Sequence, residues 1–114
     1  MEIFFRDKKL AALVADEKKL KRRFGRYARN VQLRLDLLRQ ARTLADVPHH
    51  PPPRRHWIKG TEKTFAIDVK AKADKWRIEF DVANDPVPRK EDGGIDLNAV
   101  TAVEIVAISV HYDD

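Results

Sequence analysis

Three consecutive prolines, Pro51 to Pro53, split this chain into two halves with different hydrophobic periods. Proline has no backbone N–H and a fixed φ, so such a run neither extends a helix nor joins the interior of a sheet. Ahead of it, apolar residues recur every three or four positions. Behind it, they alternate. Helices therefore come first and strands last, apart from a short apolar opening strand, "EIFF", at Glu2–Phe5.

The spacing predicts a first helix capped by Asp7 and stopped by Gly25, with Leu10, Leu13, Val14, Leu20 and Phe24 turned inward. Its outer face would carry Lys18, Lys19, Lys21, Arg22 and Arg23. A second helix is predicted from about Arg26 to Thr43, with Ala28, Val31, Leu35 and Leu38 as its inner stripe. Leu33 and Leu37 form a second stripe, expected to meet the first helix. Beyond the prolines, "KTFAIDV" and "KWRIEFDV" form a hairpin about the turn "KAKAD". A long polar loop, Asn84 to Asp96, precedes "VTAVEIVAISVHY", whose nearly continuous apolar run predicts an inner strand covered on both faces. The fold class that follows is α+β in a single domain over residues 1–114. An N-terminal strand and a two-helix hairpin pack on one face of a small, mostly antiparallel sheet of four to five strands.

Composition narrows the chemistry. The 114 residues contain no cysteine, which removes disulfides, thiolate zinc sites and cysteine nucleophiles. His49 and His50 lie in the proline loop without further ligands at helix or hairpin spacing, so no metal site and no cofactor is expected. Ser109 is the single serine and sits in an apolar strand, which argues against a serine hydrolase. The 23 Lys and Arg against 18 Asp and Glu give a formal charge of +5, in keeping with a polyanionic or acidic partner. No stretch approaches the roughly 20 apolar residues of a membrane span. With no basic-then-apolar leader at the start, a cytoplasmic location without membrane association is the expectation.

What remains is a basic set: Arg55, His56, Lys59, Lys63, Lys75 and Arg77, with the terminal His111 and Tyr112. Arg77 alternates with Trp76, Ile78 and Phe80, so it is expected on the sheet face that the helices leave uncovered. A surface of Lys, Arg, His and Tyr without acidic pairs suits cleavage of RNA by its own 2′-hydroxyl. That reaction needs a proton acceptor, cations at the phosphate and a proton donor for the leaving 5′ oxygen. An imidazole, with an ordinary pKa of about 6.5, fits either proton role.

The turn "HWIKG" at His56 to Gly60, followed by a strand, a turn and "WRIEF", resembles the bacterial RelE/ParE toxin superfamily. It is most similar to the HigB-like toxins, also called plasmid maintenance system killer proteins. "MEIFF", "KKLKRRFG" and the "ANDPVPRKEDGGID" loop extend the resemblance over nearly the whole chain. The resemblance implies a RelE-like fold and a type II toxin–antitoxin system. It implies inhibition of translation by ribosome-dependent, metal-independent cleavage of mRNA, an endoribonuclease or mRNA interferase activity. The partners it implies are a helix-turn-helix, HigA-like antitoxin, the ribosome and mRNA, in a homodimer or a toxin–antitoxin heterotetramer.

Carried over by position, His56, Lys59 and Arg77 are the expected catalytic residues, joined by His111 and Tyr112. Arg55, Lys63, Lys75, Arg22 and Arg23 are the expected RNA contacts. Where relatives end in Asp-Tyr-His, this chain has Val110, His111 and Tyr112, without the acid and with the last two exchanged. The alternative expectation is therefore a RelE/ParE-fold binding protein without nuclease chemistry. It would inhibit a target such as DNA gyrase, or would bind only its antitoxin.

Overall fold

The structure is a computed structural model and describes residues 1–110. A five-stranded sheet has the order β1-β5-β4-β3-β2. The strands are β1 (Glu2–Phe5), β2 (His56–Trp57), β3 (Thr64–Asp68), β4 (Trp76–Val82) and β5 (Ala102–Val110). β1 runs parallel to β5, and every other neighbour pair is antiparallel. This is the α+β arrangement expected from the change of period at the prolines.

The first helix is not continuous. It is divided into α1 (Lys8–Val14) and α2 (Glu17–Phe24). Asp16 is the cause: its carboxylate accepts from the backbone N–H groups of Lys18 and Lys19, at 3.0 and 3.2 Å. Capping a new helix with extended φ and ψ interrupts the old one. Asp7 caps α1 in the same way, through the N–H of Lys9 at 2.8 Å. The second predicted helix is shorter than its pattern: α3 spans Ala28–Gln40, and the chain is extended from Ala41.

Val31, Leu35 and Leu38 of α3 are fully buried, as the inner stripe predicts. They form one core with Leu20 and Phe24 of α2 and with Ile67, Ile78, Phe80 and Ile105 of the sheet. The edge of Trp76 on β4 meets Phe24, with ring centres 5.6 Å apart. The second leucine stripe divides: Leu37 packs against the core, whereas Leu33 stays exposed.

β5 is an inner strand by sheet order, but it is not closed on both faces. Val103, Ile105 and Ile108 are buried, whereas Glu104, Ala107 and Ser109 are half-buried. Opposite β4, Glu79 meets Ala107 while the next residue, Phe80, meets Ile105, so Val106 is an extra residue in the ladder. That bulge explains the apparently continuous apolar run: two inward sets, out of phase by one residue, are spliced at Val106.

Replacing the Asp16 cap with alanine is expected to lower stability by about 1 kcal/mol. Leu35→Ala is expected to cost about 2–5 kcal/mol, because it opens a cavity in the core. Urea denaturation followed by circular dichroism measures both, with the larger midpoint shift for Leu35→Ala.

Candidate functional site

The sheet has one face under the helices and one face away from them. In register across the second face lie His56, Ala66, Glu79 and Ala107. The next row holds Asp68, Arg77 and Ser109, and a further row holds Thr64, Asp81 and Glu104. Two strand spacings, roughly 10 Å, separate the backbones of His56 and Glu79. His56 and Arg77 therefore do share the face opposite the helices. Lys59 is exposed in the turn that follows β2.

The face is not the acid-free basic surface expected. Arg77 is only 3% exposed. Its Nε and Nη2 donate to Glu79 Oε1 at 3.0 and 2.7 Å. The Asp68 carboxylate accepts two bonds from Arg54, at 2.7 and 2.9 Å. Arg6 donates to Asp81 at 2.6 Å and to Glu104 at 2.7 Å, and Thr64 donates to Asp81 at 2.6 Å. The bonds to Glu104 and then to Asp81 hold the Arg6 guanidinium above its ordinary value. Buried or half-buried charges need such partners, since an unpaired charge in this position is strongly destabilising. The carboxylates were legible: in "WRIEFDV", Glu79 and Asp81 fall two and four residues after Arg77, and thus on its face.

His56 is half-buried. Its Nδ1 lies 2.8 Å from the carbonyl oxygen of Arg54, while Nε2 is enclosed and has no hydrogen-bond partner. Arg55, expected to contact RNA, points into the protein instead. Its Nη1 donates to the carbonyls of Leu44 at 2.9 Å and Val47 at 2.7 Å. Burial pushes its guanidinium below the usual arginine value. Those carbonyls belong to the turn before the prolines; that of Leu44 also accepts from the Val47 N–H at 3.1 Å, and only tertiary structure reveals that the arginine completes the set. Lys63 and Lys75 are half-exposed, and Lys75 ends the β3–β4 turn with a left-handed φ of 65°. Arg22 and Arg23 are exposed on α2, on the helix layer rather than on the His56 face. His111 and Tyr112 lie outside the described residues.

Charge is distributed unevenly. Residues 1–43 contain 13 Lys and Arg against 5 Asp and Glu, whereas residues 44–114 contain 10 against 13. The whole positive excess belongs to the opening strand and the helices. On the helix side, Lys9, Lys19, Arg22 and Arg23 rim a shallow apolar groove between α1 and α2. A separate groove beneath the β4–β5 loop is lined by Trp57, Phe65, Ile95 and Leu97, with Arg89 paired to Glu62 at 2.9 Å on its rim. Trp57 alternates with His56, so it lies on the other side of the edge strand, and it is 49% exposed. Nothing in the sequence pattern separated this tryptophan from a core residue.

Among the described residues, no group of three or more His, Cys, Asp or Glu is placed to hold a metal ion. Among them too, no helix is long and apolar enough to cross a membrane. No family model, no curated protein and no solved structure matches the chain.

The bonds from Arg55 to the turn carbonyls predict that Arg55→Ala lowers stability by about 1–3 kcal/mol, the penalty for leaving the Val47 carbonyl without its donor. Urea denaturation checks the loss.

Proposed function

We propose that this protein is the toxin of a type II toxin–antitoxin pair and stops translation by cutting messenger RNA at the ribosome. One observation carries the reading: β2 and β4 set His56 and Arg77 on one sheet face, with Lys59 on the adjoining turn. In the HigB-like resemblance, these three positions match the histidine and lysine of the turn and the arginine of the strand. In the reaction, the 2′ oxygen of RNA bonds to the adjacent phosphorus and the bond from phosphorus to the 5′ oxygen breaks. A 2′,3′-cyclic phosphate and a 5′-hydroxyl end are left. His56 takes a proton role, and Lys59 and Arg77 offset charge on the phosphate. The helix layer, with its excess of Lys and Arg, supplies salt-sensitive attraction to ribosomal RNA. A helix-turn-helix antitoxin is the protein partner of such a toxin.

A second reading has its own support. Glu79 already occupies the Arg77 guanidinium, and Asp68 occupies that of Arg54. Carboxylates sitting where a phosphate would bind favour a protein that keeps the fold and binds a target or an antitoxin without cutting RNA.

Induced expression, with growth recorded and primer extension on a translated message, separates the two. The nuclease reading expects growth arrest with discrete cuts inside codons. Lys59 is the residue to vary, because it is exposed and Lys59→Ala leaves the core untouched. Arg77→Ala would strand Glu79 in a half-buried site and confound activity with folding. Lys59→Ala is expected to abolish the cuts while the protein remains soluble and folded. Arrest with intact messages would sink the nuclease reading and favour the binding protein.

A further inference from the structure

The turn that carries His56 is gripped from below by one buried residue. Asp68, at the end of β3, is 3% exposed. Its carboxylate accepts from Nε and Nη2 of Arg54, at 2.7 and 2.9 Å. Its backbone N–H donates to the carbonyl of Pro53 at 2.7 Å. Side chain and main chain of Asp68 thus hold two consecutive residues, Pro53 and Arg54. Arg54 is held with φ at 56°, a left-handed conformation unfavourable to any side chain but glycine. The ion pair holds it there together with the bond from the Arg54 N–H to the His50 carbonyl, at 3.0 Å, and the conformation aims the Arg54 carbonyl at His56.

That carbonyl oxygen lies 2.8 Å from His56 Nδ1. A carbonyl only accepts, so the proton of this bond is on Nδ1. In neutral imidazole the other nitrogen, Nε2, then carries a lone pair and no proton. Nε2 is also, among the described residues, the side-chain atom left buried and without a hydrogen-bond partner.

We infer that Asp68 and Arg54 are positioning residues that hold His56 as its Nδ1–H tautomer and make Nε2 the proton-accepting atom of the site. The inference rests on the nuclease reading for its substrate and deepens it: His56 becomes the base and not the acid. Nε2 takes the proton of the 2′-hydroxyl as the new bond to phosphorus forms. The leaving 5′ oxygen gains its proton from a second group or from water. Because Nε2 is enclosed, the substrate must displace a neighbouring group to reach it.

The test is nitrogen NMR of the full-length, 15N-labelled protein, with long-range correlation of the histidine rings at a pH where they are neutral. His56→Gln identifies the His56 signals among those of the four histidines. The expected wild-type pattern has a protonated Nδ1 and an unprotonated Nε2. In Asp68→Asn the pattern is expected to move toward Nε2–H. Where cuts are seen in the wild type, cleavage should also fall, by up to about 10²–10⁴-fold, the range attributed to a general base. Should Asp68→Asn fail to fold, Arg54→Ala/Asp68→Asn leaves no buried unpaired charge and, with a side chain that disfavours the left-handed φ, is expected to show the same move.

A wild-type proton on Nε2 overturns the inference. So does an unchanged Nδ1–H pattern in a folded variant that lacks the ion pair. Loss of the tautomer in the variants, with intact messages in every strain, supports the positioning role and sinks the nuclease reading instead. The two failures are therefore distinct.

Discussion

The fold depends on β5 lying between β1 and β4. β1 is parallel to β5, and two parallel neighbours cannot be joined by a tight turn. The chain must leave the sheet after Phe5, cross one face and return, and α1, α2 and α3 form that crossing layer. The pairing also joins residues about a hundred positions apart, as in Phe4 with Glu104. Closing so long a loop is entropically unfavourable until the core contacts of Leu35, Leu38 and Ile105 are made. The helices and β5 therefore stabilise one another. Neither the helical hairpin nor the three-stranded meander of β2, β3 and β4 buries its apolar face alone.

With one sheet face given to the helices, the other must be compatible with partial burial while carrying many charges. It meets that requirement by alternation. Arg54 meets Asp68, Arg77 meets Glu79, and Arg6 meets Asp81 and Glu104. Two of these groups are neutral pairs and the third sets one arginine against two carboxylates, so the face is not the source of the positive excess. The positive excess lies on the other side of the molecule, in the opening strand and the helix layer. On the nuclease reading, encounter and chemistry would be separated: the helices would govern salt-dependent approach, and the paired face what happens at short range.

The sequence was most legible where one physical rule acted alone. Alternation in "KTFAIDV" and "WRIEFDV" predicts the hairpin and its inward set, and steps of three and four predict the stripe of Val31, Leu35 and Leu38. Legibility failed where two rules competed. The apolar spacing over Leu10 to Phe24 is compatible with one long helix, but Asp16 offers the backbone a better partner as a cap, and capping won. The apolar run in β5 resembles a doubly covered strand, but a bulge at Val106 shifts the phase. At the candidate site, the face on which Arg77 lies was legible from its alternation with Trp76, Ile78 and Phe80. Arg55 was assigned to RNA because arginines are mostly exposed. Its true partners, the carbonyls of Leu44 and Val47, come together only through the path of the proline loop. Asp68 was visible as the residue out of phase with Phe65, Ile67 and Val69, but its grip on Arg54 depends on the left-handed turn that follows the prolines.

The carboxylates on the site face bear on both readings of function. An arginine that binds a phosphate presents the same fork of N–H groups that binds a carboxylate. Glu79 on Arg77 therefore resembles a preloaded stand-in for the phosphate, and any RNA that reaches Arg77 must exchange one anion for another. That exchange would keep the guanidinium paired throughout, so it avoids stranding a buried cation, and it requires a ligand placed as closely as Glu79, whose Oε1 accepts both bonds. Loose electrostatic attraction cannot meet that condition. A phosphate placed by a larger surface, such as message threaded along the ribosome, can. On the nuclease reading, a face that accepts only a pre-positioned phosphate would be silent toward free RNA, and the ion pairs alone would account for that silence.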